Sequence, residues 1–287
     1  MSSLDLVIVT LFLLTVVYIV NRAIASLDKQ TKVDFVSKLD TSNPRIKAPD
    51  PQIIDPASKD FKPREEPFDQ QLERMTFGDR SLKDILGISF KFKKRYKYDL
   101  DDHDKDEQPR FLIMNVENKS KDIDIYINWD SCSLTDYDNT ARRVVRLTTD
   151  KDPILADSQP PKFQPPSLVA PGDKLTATFT AEDTLKPNTE KQIMEPKVPI
   201  LDFKAIKAKS KNKDVPKAVR EELEKRLTSF DDRKRTFDFF LRLSLKLVTL
   251  NTLETGADTS DRPYYLWCKF TVLKMPWYDQ LPWNPKK

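Results

Sequence analysis

The chain has 287 residues, of which 38% are hydrophobic, and this is enough to build a core and excludes a protein that is disordered throughout. Charged residues make up 33% but leave a formal net charge of only +4, which excludes a polycation that coats nucleic acid along its whole surface. Four glycines beside 21 prolines weigh against nucleotide-binding folds, because phosphate loops need glycine where the backbone approaches the ligand.

The first segment predicts a transmembrane helix over residues 4–24. Residues 6–20, LVIVTLFLLTVVYIV, carry no charge, and with their apolar neighbours they approach the roughly 20 residues that span a bilayer core. A cleaved signal peptide is the alternative, because Ala23 and Ala25 form a small-x-small site before Ser26. No Lys or Arg precedes the apolar run, which favours an uncleaved anchor.

The positive charges near this helix predict its orientation. None precedes the apolar run, whereas four follow it: Arg22, Lys29, Lys32 and Lys38. Because positively charged flanks are retained in the cytoplasm, we expect an outside amino terminus and a cytoplasmic body. Long domains can override this rule, so a periplasmic or extracellular body is the alternative.

Residues 25–78 are rich in proline and charge and predict an extended tether. Each proline removes a hydrogen-bond donor and pushes its predecessor towards extended backbone, so neither helix nor sheet propagates through them. Six of them lie at positions 44, 49, 51, 56, 63 and 67. The alternative is a segment that packs along the surface of the folded domain.

Alternation with a period of two then dominates residues 79–275. A short helix or turn is expected near 79–86, and the stretch 88–98 follows as a strand with two distinct faces. One face is apolar (Ile88, Phe90, Phe92, Tyr96 and Tyr98), and the other is basic (Lys91, Lys93, Arg95 and Lys97). Further strands are predicted at 110–118, 122–129, 141–149, 175–181, 199–206, 237–250 and 263–275, with one helix at about 215–230.

About eight strands with turn residues between them favour an antiparallel sandwich or barrel. Paired strands followed by the proline-glycine turn APGD and another pair resemble an immunoglobulin-like sandwich over residues 85–275. The resemblance implies a mainly β chain: an antiparallel immunoglobulin-like β-sandwich over 79–275 with one inserted helix, preceded by the transmembrane helix.

Two basic segments are candidates for binding. The row Lys91, Lys93, Arg95 and Lys97 is either the solvent face of an edge strand or a docking site for an acidic partner. The second segment contains Lys204, Lys207, Lys209, Lys211, Lys213 and Lys217. Near a membrane it would attract anionic headgroups, but only within a Debye length, so an extended tether would remove most of that attraction.

The carboxyl-terminal tail, residues 276–287, places Trp277, Tyr278 and Trp283 among three prolines. Prolines lower the ordering cost of binding, and Trp and Tyr supply large amphipathic anchors. We expect the tail to bind a partner protein or the bilayer interface, or else to fold back over the sandwich.

Catalytic and metal-binding signals are weak. His103 is the only histidine and lies in the acidic loop DLDDHDKDEQP, which excludes multi-histidine metal sites, and no GxSxG, HExxH or Walker-type motif is present. We therefore predict no enzyme, and assign no catalytic residue, cofactor or metal ligand. Cys132 and Cys268 are expected to be reduced core residues in a cytoplasmic body, or a disulfide in an outward-facing one.

These observations predict a noncatalytic, single-pass scaffold or accessory protein whose β-sandwich and aromatic tail bind a membrane protein complex. The expected contacts are the bilayer through residues 4–24 and a membrane-protein partner, with no nucleic acid and no small-molecule substrate. The alternative is an outward-facing, disulfide-bonded β-sandwich that binds an extracellular or periplasmic ligand.

Overall fold

The computed structural model describes residues 3–38, 63–98, 107–147, 162–188, 193–249 and 262–276. The helices are α1 (Ser3–Asp28), α2 (Phe68–Arg74), α3 (Leu82–Ile85), α4 (Phe203–Lys211) and α5 (Lys217–Asp231). The strands are β1 (Gln30–Phe35), β2 (Thr76–Phe77), β3 (Arg80–Ser81), β4 (Leu86–Lys91), β5 (Tyr96–Lys97), β6 (Leu112–Asn118), β7 (Ile123–Ile127), β8 (Ser133–Thr135), β9 (Ala141–Leu147), β10 (Ser167–Val169), β11 (Lys174–Ala181), β12 (Leu185–Asn188), β13 (Ile193–Pro196), β14 (Phe237–Thr249) and β15 (Tyr264–Lys274).

Helix α1 is long and apolar enough to cross a membrane. Its window Asp5–Ala23 has a mean hydropathy of 2.2, and no part of that window is buried against the rest of the protein. By length and composition this helix could span the apolar core of a bilayer. The predicted amino-terminal span therefore coincides with one regular helix whose apolar window is not buried against the described residues.

Eleven strands form one curled antiparallel sheet. Its main order is β4-β6-β11-β9-β8-β14-β15-β1-β5, with β7 paired to β14 and β10 paired to β7. The Phe90 ring of β4 lies 4.8 Å, centre to centre, from both the Phe35 ring of β1 and the Phe270 ring of β15. Strands from the two ends of the order therefore face each other across one core.

The alternating pattern accounts for this core. In β7 the side chains of Ile123, Ile125 and Ile127 are fully buried, and Trp129 just beyond the strand donates its indole N–H to the Ser167 hydroxyl at 2.8 Å. The strands predicted at 110–118, 141–149, 175–181, 237–250 and 263–275 are confirmed as β6, β9, β11, β14 and β15.

The strand predicted at 199–206 is wrong, because α4 begins at Phe203. The Asp202 carboxylate accepts hydrogen bonds from the backbone N–H groups of Lys204 and Ala205, both at 2.9 Å, and so caps the helix. Phe203 and Ile206, three residues apart, are buried on its inner face. The helix predicted at 215–230 is confirmed as α5, so two helices interrupt the strands where one was expected.

The first strand begins two residues after α1 ends. Strand β1 pairs with β15 on one side and β5 on the other, and its Thr31 and Val33 are buried in alternation with Lys32 and Asp34. Helix α2 likewise buries Phe68 in the core. These elements differ from the extended tether expected over 25–78, and residues 39–62 of that segment lie outside the described residues.

Helix α2 is attached to β15 through one side chain. Gln71 is fully buried; its Oε1 accepts a 2.8 Å hydrogen bond from the Trp267 N–H, and its Nε2 donates to the Trp267 carbonyl at 2.9 Å. Strand β1 pairs only with residues 270–274 of β15, so Gln71 reaches the portion of β15 that β1 does not.

Candidate binding site

The strand predicted at 88–98 is in fact two strands at opposite ends of the sheet order. Strand β4 pairs with β6, whereas β5 pairs with β1, and residues 92–95 cross between these two edges. The Tyr96 hydroxyl accepts a 3.1 Å hydrogen bond from the Lys93 backbone N–H, which holds the crossing in place. Burial raises the pKa of Tyr96 against the opposing effect of this bond, so the hydroxyl stays neutral at physiological pH.

The predicted alternation persists across the break. The side chains of Tyr96 and Tyr98 are buried, and Phe90 and Phe92 pack against the core. Lys91, Lys93 and Lys97 are exposed, whereas Arg95 is half-buried. The basic residues therefore point away from the core, but they do not form one continuous strand face.

A pocket of about 550 Å³ opens beside this crossing. Its apolar wall combines residues of the crossing with the segment that leads into β6: Phe92, Tyr96, Pro109, Phe111 and Ile113. Its polar lining consists of Lys91, Lys93, Glu107, Gln108 and Arg110. The Phe111 side chain is 44% exposed although it is aromatic, so the pocket offers apolar surface to a binding partner.

The pocket carries an excess of positive charge. Glu107 lies 3.3 Å from the Lys97 ammonium and 3.9 Å from the Lys93 ammonium, and one carboxylate is therefore shared by two lysines. Lys91 and Arg110 make no ion pair with any residue that the structure describes. Three cations and one carboxylate line the pocket, which favours an anionic partner.

Gln108 fixes the pocket to the strand that follows α1. Its side chain is only 3% exposed, and its Nε2 donates to the Lys97 carbonyl at 2.8 Å and to the Thr31 hydroxyl at 3.0 Å. Because Thr31 belongs to β1, the pocket is held rigidly near the membrane-length helix. A preorganised site loses less conformational entropy on binding.

The structure brings together only part of the predicted site. Lys91 and Lys93 line the pocket and Lys97 flanks it through Glu107, whereas Arg95 is not among the lining residues. Trp277, Tyr278 and Trp283 lie outside the described residues. The chain reaches them from the end of β15, where the Met275 N–H donates a 2.8 Å hydrogen bond to the Gln30 carbonyl at the start of β1.

Phe111, Arg110 and Pro109 were missed at the level of the sequence. The signal available was PRFLIM, in which an aromatic residue precedes the alternating strand and follows a cation. Their convergence with Lys91 and Phe92 depends on the crossing between two sheet edges, which local pattern does not reveal.

The cysteines lie in the core and are both free. Burial raises the pKa of the Cys132 thiol to about 12 and that of Cys268 well above its usual range. Across the described ranges, no three His, Cys, Asp or Glu side chains are grouped as metal ligands. His103 and its acidic neighbours up to residue 106 lie outside those ranges.

Comparison with known proteins finds no matching family model, no similar curated protein and no similar solved structure.

Proposed function

We propose that this protein is a noncatalytic, single-pass membrane scaffold or accessory protein that binds an acidic segment of a membrane-protein partner in the pocket beside β4. The observation that carries the proposal is the exposed Phe111 next to Lys91 and Arg110, two cations that make no ion pair within the described part of the chain. Chemically, the pocket can bury an apolar side chain and attract carboxylates on either side of it.

The size of the pocket suits one anchor residue. A volume of about 550 Å³ falls within the range of roughly 300–1,000 Å³ that is typical of binding clefts. Burial of one aromatic or branched side chain contributes about 1.5–3 kcal/mol, and an adjacent charge-assisted hydrogen bond adds to it. Such an interface is small, so the aromatic tail is proposed as a second contact with the same partner.

The finer architecture is proposed to be a β-sandwich of immunoglobulin-like type. The facing aromatic rings of β4, β1 and β15 support two opposed layers, as does the antiparallel pairing of every described strand pair. A body of this kind presents faces and edges rather than a catalytic cleft, which suits a scaffold.

The body is proposed to lie in the cytoplasm. The absence of Lys and Arg before the apolar run and the presence of Arg22 and Lys29 after it support this orientation. Protease protection in sealed vesicles of known orientation tests it: digestion from the cytoplasmic side is expected, and protection there would move the search to the outward-facing alternative.

Site-specific photo-cross-linking tests the pocket. A photoreactive residue at position 111 of the full chain is expected to capture a membrane protein in native membranes, and one at Phe163, which is 70% exposed elsewhere, serves as the matched control. In a second chain, Lys91→Glu should abolish the capture at 111 because it reverses one of the pocket's cations. Equal capture at 111 and 163, or capture that survives Lys91→Glu, would overturn the pocket assignment.

Truncation of residues 276–287 tests the second contact. Weaker co-purification of the same partner is expected because Trp277, Tyr278 and Trp283 are lost. Unchanged recovery would remove the tail from the proposed interface and leave the pocket as its only part.

A further inference from the structure

The position of α4 and α5 carries an inference beyond partner binding. Both helices pack on the end of the sheet at which α1 enters. This end is defined by the start of β1 at Gln30, the end of β15 at Lys274 and the start of β14 at Phe237. The backbone N–H of Tyr98 donates to the Lys29 carbonyl at 2.9 Å, which places β5 at the same end.

Aromatic contacts fix the two helices to this end. The Phe203 ring of α4 lies 5.0 Å from the Tyr98 ring and 5.1 Å from the Phe237 ring. The Phe230 ring of α5 lies 5.6 Å from the Tyr98 ring. The Asp231 carboxylate, at the end of α5, pairs with the Lys274 ammonium at 3.0 Å.

Helix α4 runs across the strand ends rather than away from them. Its first residue, Phe203, contacts Tyr98 beside β5, and its Lys209 pairs at 3.3 Å with Asp138 in the turn between β8 and β9. Helix α5 follows the same path in reverse, because the Arg226 guanidinium donates to the Tyr137 carbonyl in that turn at 3.4 Å. The connection between the helices therefore stays at the level of the strand ends.

Only a short part of α1 separates its apolar window from the sheet. The apolar window of α1 ends at Ala23 and the helix at Asp28, so five residues separate them. At 1.5 Å per residue this is about 8 Å, which equals about one Debye length at physiological ionic strength. With β1 starting at Gln30, no extended tether intervenes between α1 and the sheet.

The connection between the helices has the composition of a surface that binds anionic lipid. The basic connection is defined here as residues 204–220, which run from α4 through the turn into the first residues of α5. It contains seven Lys or Arg residues and a single acid, Asp214. Lys211 and Lys213 are exposed and make no ion pair with other described residues, and Lys217 is 81% exposed with Glu221 at 3.6 Å. Val219 is 42% exposed, although Leu223 and Leu227 on the same stripe are buried.

We infer that the basic connection of α4 and α5 binds the anionic headgroups of the same membrane that α1 crosses, and that it holds the body against that surface. An exposed valine among lysines combines apolar insertion at the interface with electrostatic attraction. The inference rests on the membrane anchoring included in the proposed function but does not depend on the partner pocket.

A headgroup-quenching experiment on the full chain tests the inference. Ala208, which is exposed on α4, is changed to Cys and labelled with a fluorophore; the native thiols are buried, so labelling is selective. The chain is reconstituted in phosphatidylcholine vesicles with and without phosphatidylserine, each containing a headgroup-linked quencher. A label at Lys121→Cys, in the exposed turn at the other end of the sheet, is the control.

Phosphatidylserine is expected to increase quenching at position 208 but not at 121, and salt is expected to reverse the increase. In the chain labelled at position 208, Lys211→Gln and Lys213→Gln are each expected to weaken binding of the basic connection to the lipid surface. Each should lower the ratio of membrane-bound to unbound states of this segment by about fivefold. The controls Lys121→Gln and Lys174→Gln each remove the same charge from the far end and should have no effect.

The outcomes separate this inference from the membrane anchoring. If the chain floats with the vesicles but position 208 is quenched equally in the two lipids, the inference is overturned and the membrane anchoring stands. The basic connection would then be expected to bind an acidic protein. Failure to float would overturn the anchoring and the inference together. An equal effect of the far-end control variants would also contradict a local lipid contact.

Discussion

The backbone N–H of Tyr98 donates a 2.9 Å hydrogen bond to the carbonyl oxygen of Lys29, the residue between α1 and β1. The ring of Tyr98 packs edge-on against the rings of Phe203 and Phe230, which stack on each other between the two helices. This residue thereby joins the membrane-length helix, the edge strand β5 and both inserted helices.

Tyr98→Ala should lower the free energy of unfolding by about 3–5 kcal/mol, because it leaves a cavity among packed aromatic rings. Tyr98→Phe keeps the ring and should cost much less. Chemical unfolding of the full chain in mild detergent measures both. Similar losses for the two variants would show that the hydroxyl, and not the ring, stabilises this junction.

Both cysteines should resist alkylation in the folded protein. Their side chains are at most 3% exposed, and burial raises the pKa of Cys132 to about 12, so the reactive thiolate is scarce at neutral pH. Mass spectrometry after alkylation is expected to show no adduct before denaturation and two adducts after it. Rapid modification of the native protein, or a disulfide between Cys132 and Cys268, would contradict this packing.

Asp136→Asn should make stability less dependent on pH. Burial raises the pKa of Asp136 to about 6, and the neighbouring Asp138 acts in the same direction. The folded protein therefore binds this proton more tightly than the unfolded chain, whose aspartates titrate near pH 4, so this group makes folding more stable as pH falls from about 7 to about 4.

Thermal unfolding across that pH range compares the wild type with Asp136→Asn and with the control Asp173→Asn, an exposed turn residue. The 136 variant should lose this contribution and be more stable than the wild type at pH 7. A variant that is less stable at neutral pH, with its pH dependence intact, would mean that the ionised carboxylate is favourable in the folded state.

Asn118→Asp should destabilise the protein by about 3 kcal/mol, because a carboxylate would face two carbonyl oxygens inside the protein. The Asn118 amide is 1% exposed and donates to the carbonyls of Ile123 at 2.6 Å and Val169 at 2.9 Å, so it joins two turns. Asn115→Asp on the same strand, where the amide oxygen contacts the exposed Thr176 hydroxyl, is the control and should change stability little. Equal losses for the two variants would contradict the role assigned to Asn118.

Strict alternation was a reliable guide to the long strands. Strands β14 and β15 were predicted almost to their ends, because a buried face repeats every second residue whatever the partner strand is. Strand β1 was missed because its partners, β15 and β5, lie far along the chain and four of its six residues are polar. The prolines that follow it led to the prediction of an extended conformation for the whole segment.

Other errors had local causes that the sequence does contain. Asp202 is a helix cap, and Phe203 with Ile206 has helical spacing, so the strand predicted at 199–206 ignored a start signal for α4. The candidate site was predicted only through Lys91 and Lys93. Phe111 joins them because the chain crosses between two sheet edges at residues 92–95, which is a property of the tertiary fold.

The Gln71 side chain has a consequence for how this protein avoids self-association. An open strand edge offers unpaired N–H and C=O groups that can recruit a strand from another molecule. At Trp267 both groups are already bound by a single amide side chain, which imitates the hydrogen bonds of a neighbouring strand. Replacement of Gln71 by leucine would leave the N–H and C=O groups of Trp267 without these hydrogen bonds. A residue of a helix therefore protects this point of the strand edge from pairing with another molecule.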